Sequence, residues 1–236
     1  MKVDVVLNPA EIALLPQRDL SRTTCVVFDV LRATSSMITA VAHGTAAIHP
    51  VCTIEEALAL RAEMPDAVLG GERYGELIPG FDVGNAPHEY LGFSGRRIIT
   101  TTTNGTIALR ACEKAGRVLV GALLNLDAVA LELESHPPSE LVLVCAGTFA
   151  EFALEDAFAA GLLLRRIGGG EWSDAATAAF AVAQRFSAPI DALRAAKNGR
   201  VLAANCRAAE VEWCARLSVF NVVGLMETAV IRPLTI

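Results

Sequence analysis

Carboxylates, arginines and hydroxyls gather at three points of this chain where a β-branched run ends, and ligands of parallel α/β sheets collect at such carboxyl ends of strands. The first point is Phe28-Asp29-Val30-Leu31-Arg32-Ala33-Thr34-Ser35-Ser36. An apolar run stops at a carboxylate, and an arginine follows three residues on. Hydroxyls then stand where a helix would open with free N–H groups and the positive end of its dipole. That combination suits a metal at Asp29 and a phosphate at Arg32, Thr34 and Ser35. The alternative is a turn aspartate, capping hydroxyls and a surface arginine.

The second point is Thr100-Thr101-Thr102-Thr103-Asn104-Gly105-Thr106, ahead of a helical pattern over 107–115. Thr102, Thr103, Asn104 and Gly105 offer neutral donors at a helix start, which suits a phosphate or sulfonate. Consecutive threonines also fit a strand end, but the Asn-Gly that follows favours the anion cradle. The third is Cys145-Ala146-Gly147-Thr148, leading to Leu154-Glu155-Asp156. A helix opening near Thr148 would carry Asp156 about 12 Å along its axis, whereas one opening near Ala153 puts both acids in its first turn. Adjacent helical positions do not share a face, so one of Glu155 and Asp156 is expected in the site and the other in support. A fourth stretch, 70–85, reads as a long functional loop bringing Glu72 and Arg73.

What is missing narrows the chemistry. There is no GxxxxGK[ST] phosphate loop. Leu31 stands where a D-x-D phosphatase needs its second acid, and six residues stand between Cys25 and Arg32 where a cysteine phosphatase has five. His43, His49, His88 and His136 offer no pairing with a serine, and read as ordinary surface or capped imidazoles. Carboxylates, arginines and hydroxyls remain, which is the equipment of metal-assisted phosphoryl transfer.

The elements that must position these groups alternate. Strands are expected over 3–7, 25–29, 46–51, 67–70, 97–101, 117–120 and 141–145, with helical patterns between them, which argues for βαβ units and a three-layer α/β/α fold on a mainly parallel or mixed sheet. Thr53-Ile54-Glu55-Glu56 is a capping box opening a helix to Glu63, Asn85 before Pro87 resembles an N-cap, and Asn125 is placed to cap 126–134. After Gly170 the pattern turns almost wholly helical, over 173–186, 189–197 (closed by Asn198-Gly199) and 207–216. One domain over 1–236 is expected, with a seam near Gly168-Gly169-Gly170.

Composition excludes several classes. At 53% hydrophobic and 19% charged residues the chain is too apolar for disorder, yet no apolar run is long enough to span a membrane. Asp4 and Pro9 interrupt what a signal peptide would keep apolar, so a cytoplasmic location is expected. The six cysteines show no zinc or CxxC spacing and read as reduced thiols. A net charge of −6, two tyrosines and two tryptophans argue against a nucleic-acid partner. Arg supplies 17 of the 20 basic residues, a preference that a genomic composition bias would also produce. A homo-oligomer is compatible with this composition.

The polar segments together resemble the motifs of the 2-phosphosulfolactate phosphatase family. They are Phe28 to Ser35, Gly71-Glu72-Arg73, Gly80-Phe81-Asp82 with Gly84-Asn85-Ala86-Pro87, Thr101 to Thr106, and Cys145-Ala146-Gly147 with Leu154-Glu155-Asp156. Asn198-Gly199-Arg200 and Val211-Glu212-Trp213-Cys214 resemble its C-terminal signature, so the ordered likeness runs over roughly 3–225. The resemblance implies an α/β/α fold and Mg2+-dependent hydrolysis of 2-phospho-3-sulfolactate to 3-sulfolactate and phosphate, a step toward coenzyme M. Another small phosphorylated 2-hydroxy acid is the alternative substrate. Asp29, Glu72 and Asp156 are then the expected Mg2+ ligands, with Arg32, Arg73 and the stretch Thr102 to Gly105 holding the anionic groups. Direct attack by water is favoured over an aspartyl-phosphate, since no second acid neighbours Asp29 in the sequence. A non-catalytic protein that binds a small anion is the competing class, and three acids facing an anion argue against it unless a cation intervenes.

Overall fold

The computed structural model of the chain describes residues 1–235. In order its elements are β1 (Lys2–Val6), α1 (Pro9–Ile12), β2 (Thr23–Phe28), α2 (Ala33–Ala42), β3 (Ala47–Pro50), α3 (Ile54–Glu63), β4 (Val68–Arg73), β5 (Glu76–Leu77), β6 (Arg97–Thr101) and α4 (Gly105–Ala111). There follow β7 (Arg117–Gly121), α5 (Leu126–Ser135), β8 (Glu140–Cys145), α6 (Leu154–Ile167), β9 (Glu171–Trp172), α7 (Asp174–Arg185), α8 (Pro189–Ala195), α9 (Lys197–Ala204), α10 (Ala208–Cys214), β10 (Val222–Glu227) and β11 (Val230–Thr235). Each of the seven expected strands is present within a few residues of its expected bounds. The fold is α/β, on a mixed sheet.

The strands form one sheet in the order β5-β4-β6-β3-β11-β10-β7-β2-β8-β1-β9. One block, β4, β6 and β3, is parallel within itself. So is a second block, β7, β2, β8, β1 and β9. Three antiparallel joins in succession, β3 to β11, β11 to β10 and β10 to β7, separate them, so the blocks run in opposite directions. Loops from the carboxyl ends of both blocks nevertheless touch: Asn104 Nδ2, after β6, donates to the Ala146 carbonyl, after β8, at 3.1 Å. The sheet therefore curls until the two sets of strand ends face each other.

Side-chain alternation along the strands explains what fills the curl. Cys25, Val27, Val118 and Val144 from one block and Ile48, Val68 and Ile98 from the other share a core cluster with Met37 and Ile38 of α2 and Leu109 of α4. The opposite face of the second block, with Val26, Phe28, Leu119 and Leu143, is covered by Val129 of α5, Phe158 and Leu163 of α6, Ala179 of α7 and Leu193 of α8. On the first block, Ile99 and Leu69 meet Ala57 of α3. Each fully buried Leu or Ile contributes about 1.5–3 kcal/mol. The central strands are buried on both faces, which is why they read as continuous apolar runs.

Several expectations need correction. The tail is not all helix: after α7 to α10 the chain returns as the hairpin β10–β11 and enters the middle of the sheet. Its turn residues, Thr228 and Ala229, both have positive φ, 47° and 58°. That is the type I′ geometry usually signalled by Asn-Gly, and the signal is missing here. The helix expected over 189–197 stops at Ala195, and Asn198-Gly199 lie in the first turn of α9 instead of closing α8. A Cβ on Gly199 would sit 1.8 Å from the Leu193 carbonyl, so the glycine serves a close approach of α9 to α8. Asn85 is not a cap: the short 3-10 helix Pro87–Tyr90 is preceded by Ala86, and Glu89 accepts from the Gly84 and Ala86 amides at 3.1 and 2.8 Å. Asn125 does precede α5, but its side chain turns back to accept from Ala122 N and donate to the Val120 and Val222 carbonyls, bracing β10 against β7. The stretch 70–85 is not one open loop either, because β4 runs on to Arg73 and folds back as β5.

Candidate active site

Asp29 follows β2 immediately. Its Oδ1 accepts from the Ala33 amide at 3.1 Å, so the N-terminus of α2 already holds an anion, the chain's own carboxylate. Thr34 Oγ1 accepts from Asp29 N and donates to Asp29 O, and Ser35 Oγ donates to the Val30 carbonyl. Both hydroxyls are fully buried in the first turn of α2, bonded to backbone of the loop before it, and α2 has no side-chain cap. Arg32 is also buried, but it faces the opening. One arm pairs with Glu210 of α10 and the other donates to the Gly75 carbonyl at 3.1 Å. A guanidinium has five N–H donors, so these two bonds leave others for a ligand.

The other wall comes from β4 and β6. Glu72 Oε1 accepts from Thr103 N at 2.7 Å, and Oε2 from Gly75 N at 2.7 Å and Thr103 Oγ1 at 3.2 Å. Thr102 and Thr106 exchange side-chain and backbone bonds, closing the turn before α4. Asn104 spans to the facing wall, donating to Ala146 O and Phe149 O and accepting from Phe149 N. A Cβ on Gly105 would lie 2.6 Å from Asp29 Oδ2 and 2.7 Å from Ala33 Cβ, so only glycine lets α4 begin against that carboxylate. Arg73 points away, its guanidinium donating to Thr101 Oγ1 and to the Glu72 and Cys52 carbonyls.

On α6, which opens after Ala153, both acids lie in the first turn. Asp156 accepts from Val30 N at 2.8 Å and Gly147 N at 3.1 Å, tying the loops after β2 and β8 together. Glu155 accepts from Asn198 Nδ2 at 2.7 Å. Burial and neighbouring acids raise Asp29 and Asp156. Burial above all, then Glu72 and Glu155, push the Asp29 carboxyl up to about 7, against the opposing pull of the Ala33 amide and Arg32. Burial, then Glu155 and Asp29, push Asp156 well above the carboxylate range, and burial raises Glu155. The sequence basis for preferring direct attack by water therefore needs correction: distant elements bring Glu72 and Glu155 beside Asp29, although no acid is near it in the chain. All six cysteines are free, and burial pushes the Cys145 thiol well above its ordinary value, which suits a packed thiol and disfavours a thiolate.

These strand ends enclose a cavity of about 160 Å3. Of the residues expected at the site, Asp29, Arg32, Glu72, Thr103 and Asn104 line it. Thr34, Ser35, Arg73, Thr102, Gly105 and Asp156 do not; they hold the lining residues or their loops. Among the described residues no three His, Cys, Asp or Glu side chains lie close enough to share one metal ion, so the expected trio Asp29, Glu72 and Asp156 is not gathered here. Asp156, held by the Val30 and Gly147 amides, does not line the cavity. Sequence reasoning missed Tyr74, Asn85, Phe149, Lys197 and Asn198 as lining residues. Lys197 is one of three lysines in an arginine-dominated chain, which was a usable signal. It reaches Glu151 at 2.7 Å across the rim.

The cavity is acidic for a phosphate site. Asp29 and Glu72 face into it, Glu155 lies behind, and the cations nearby already have partners, Arg32 in Glu210 and Lys197 in Glu151. Hard oxygen donors with an unbalanced negative charge fit Mg2+, which is usually held by one or two carboxylates together with substrate phosphates and water. No helix among the described residues is long and apolar enough to cross a membrane. The family model for 2-phosphosulpholactate phosphatase matches residues 11–229. A protein of Carboxydothermus hydrogenoformans is 38% identical over 229 residues, covering 94% of this chain and 92% of its own length. One from Deinococcus radiodurans is 41% identical over 199 residues, covering 82% and 83%, and one from Clostridium acetobutylicum 40% over 186 residues, covering 76% and 77%. All three are described as probable 2-phosphosulfolactate phosphatases. With matches of this extent over a sheet and strand-end cavity of the expected kind, the chain belongs to the 2-phosphosulpholactate phosphatase family, whose enzyme class is phosphoric monoester hydrolase.

Proposed function

We propose that this cavity hydrolyses 2-phospho-3-sulfolactate to 3-sulfolactate and phosphate with Mg2+ as cofactor. The observation that carries the reading is the acid excess beside a buried arginine. An anion would be repelled by Asp29, Glu72 and Glu155 unless a cation came with it, and a protein that merely binds an anion has no use for such acids. Asp29 and Glu72 would hold the ion from opposite walls, and Asp156 would keep the two loops of the Asp29 side in place. Bound there, Mg2+ supplies positive charge against the phosphoryl oxygens.

The rest is done by side chains. Arg32 presents its uncommitted N–H groups to phosphoryl oxygens and is kept in plane by Glu210 and Gly75 O. Thr103 and Asn104 line the wall beside it and, with their side-chain donors given to Glu72, Ala146 O and Phe149 O, shape that end of the cavity. Lys197, from α9, faces the remaining acidic groups. The test is phosphate release from a panel of phosphorylated hydroxy acids, with and without Mg2+. Release from 2-phospho-3-sulfolactate that stops in excess EDTA and returns with Mg2+ is expected. Full activity in EDTA, with no metal found in the protein, removes the cation. Release only from other esters removes the substrate.

A further inference from the structure

Two exposed aromatic side chains cover the mouth of the cavity. Tyr74 is 81% exposed and Phe149 52%, and their rings stack with centroids 5.9 Å apart and planes 27° from parallel. They come from opposite walls, Tyr74 from the turn between β4 and β5 and Phe149 from the segment between β8 and α6, and both line the cavity.

The backbone beneath each ring is unusual. Arg73 pairs antiparallel with Glu76, so Tyr74 and Gly75 are the central residues of a two-residue turn, with φ of 56° and 82°. Positive φ at both positions is the type I′ geometry, where Asn, Asp or Gly is favoured first. Opposite, Thr148 and Glu151 exchange two backbone hydrogen bonds of 2.9 Å around Phe149 and Ala150. Here φ is positive, 54°, at Phe149 but not at Ala150, which is the pattern of a type II′ turn whose first central residue is normally glycine. Bulky side chains are disfavoured at such angles by contact between Cβ and the backbone. Neither ring gains core burial in return. Two turns that each place an aromatic where a small residue folds better, with both rings meeting over one opening, serve that opening and not the fold.

We propose that Tyr74 and Phe149 roof the cavity and limit the size of the alcohol portion of the phosphoester, admitting a compact acid and rejecting a bulky one. The inference rests on the phosphatase reading above. Leu31 and Leu202 line the same cavity, whose volume of about 160 Å3 leaves room for a short carbon chain.

The test uses Tyr74→Asn and Phe149→Gly, singly and together. Each change installs the residue its turn favours, so the variants should melt at or above the parent temperature, by about 2 °C or more. In the double variant the ratio of kcat/KM for glucose 6-phosphate to that for 2-phospho-3-sulfolactate should rise at least about tenfold. Calorimetric binding of tert-butylphosphonate relative to inorganic phosphate, with Mg2+ present, reads the same limit without turnover and should rise as much. If turnover is normal and neither ratio moves, the roof is wrong and the phosphatase reading stands. If the parent turns over no ester but the binding ratio rises in the variant, the phosphatase reading fails and the roof stands. A parent that turns over no ester and binds neither anion overturns both.

Discussion

Gly105→Ala adds one methyl group to the start of α4 and tests whether Asp29 is the centre of the chemistry. The new Cβ would lie 2.6 Å from Asp29 Oδ2, 2.7 Å from Ala33 Cβ and 3.1 Å from Asp29 Cβ, whereas ordinary contact begins at 3.4 Å. Something must move by about 0.8 Å, the shortfall against the nearer oxygen. The carboxylate can turn aside, but Ala33 lies in the first turn of buried α2, so the start of α4 must shift as well to clear its Cβ. Overpacking costs about 1–3 kcal/mol, offset by about 1 kcal/mol from replacing glycine in a helix. The net, about 0–2 kcal/mol, lowers the melting temperature by up to about 8 °C in a chain of this size and leaves it folded at room temperature. A catalytic group displaced by about 1 Å loses about a hundredfold in rate. Steady-state kinetics with a Mg2+ titration should therefore show kcat/KM down about a hundredfold and a raised Mg2+ midpoint, in a variant whose circular dichroism is unchanged. Parent-like kcat/KM and Mg2+ midpoint would show that Asp29 Oδ2 does not belong to the reacting site.

Asp29 also makes stability depend on pH. An acid whose folded pKa is raised from 3.8 to about 7 favours folding only while protonated, so its contribution is complete below 3.8 and lost as pH rises through about 7. That gap is worth about 4 kcal/mol at most, so metal-free Asp29→Asn should unfold at higher denaturant than the metal-free parent at pH 8 and alike near pH 4. Saturating Mg2+ should stabilise the parent and leave the variant unmoved. Equal stability of the two metal-free proteins at pH 8 would remove the burial penalty assigned to this carboxylate. Arg32→Lys keeps a charge for Glu210 but loses the planar fork, so kcat/KM should fall about tenfold to a hundredfold with Mg2+ affinity nearly unchanged. An unchanged kcat/KM would mean that Arg32 serves only Glu210 and Gly75.

How far the sequence reaches depends on where a residue's partners lie. β2 and β8 are legible because a strand buried on both faces must be a continuous apolar run. β10–β11 is hidden because its turn uses Thr228 and Ala229 at positive φ, with neither glycine nor asparagine to mark it. Asp29, Arg32, Glu72, Thr103 and Asn104 stand out because a polar residue at a strand end in an α/β chain has few other reasons to be there. The same rule oversells Thr34, Ser35 and Arg73, whose donors are used on nearby backbone and on Thr101. Lys197, Asn198 and Glu210 reach the site from helices that carry no strand-end signature. Only the packing of α9 and α10 against the strand ends brings them in.

The width of the cavity follows from the topology. Asp29 and Glu72 belong to strand blocks that run in opposite directions, and few bonds cross between their walls: Asn104 to Ala146 and Phe149, and Arg32 to Gly75. Their separation is set instead by what fills the curl, α2 and α4 packed with Met226 of β10 and Ile231 of β11. The hairpin supplies the odd number of antiparallel joins that reverses one block, and the helices inside the curl hold the facing strand ends apart. A site proposed to hold a cation between two acids would thereby be fixed by a close-packed core that yields little. Asp29 and Asp156 are raised by burial and by neighbouring acids, and so disfavour the fold as pH rises. The core absorbs that penalty, and a cation bound as proposed would relieve it, so the charge arrangement that weakens the fold is the one such an ion would draw on for its affinity.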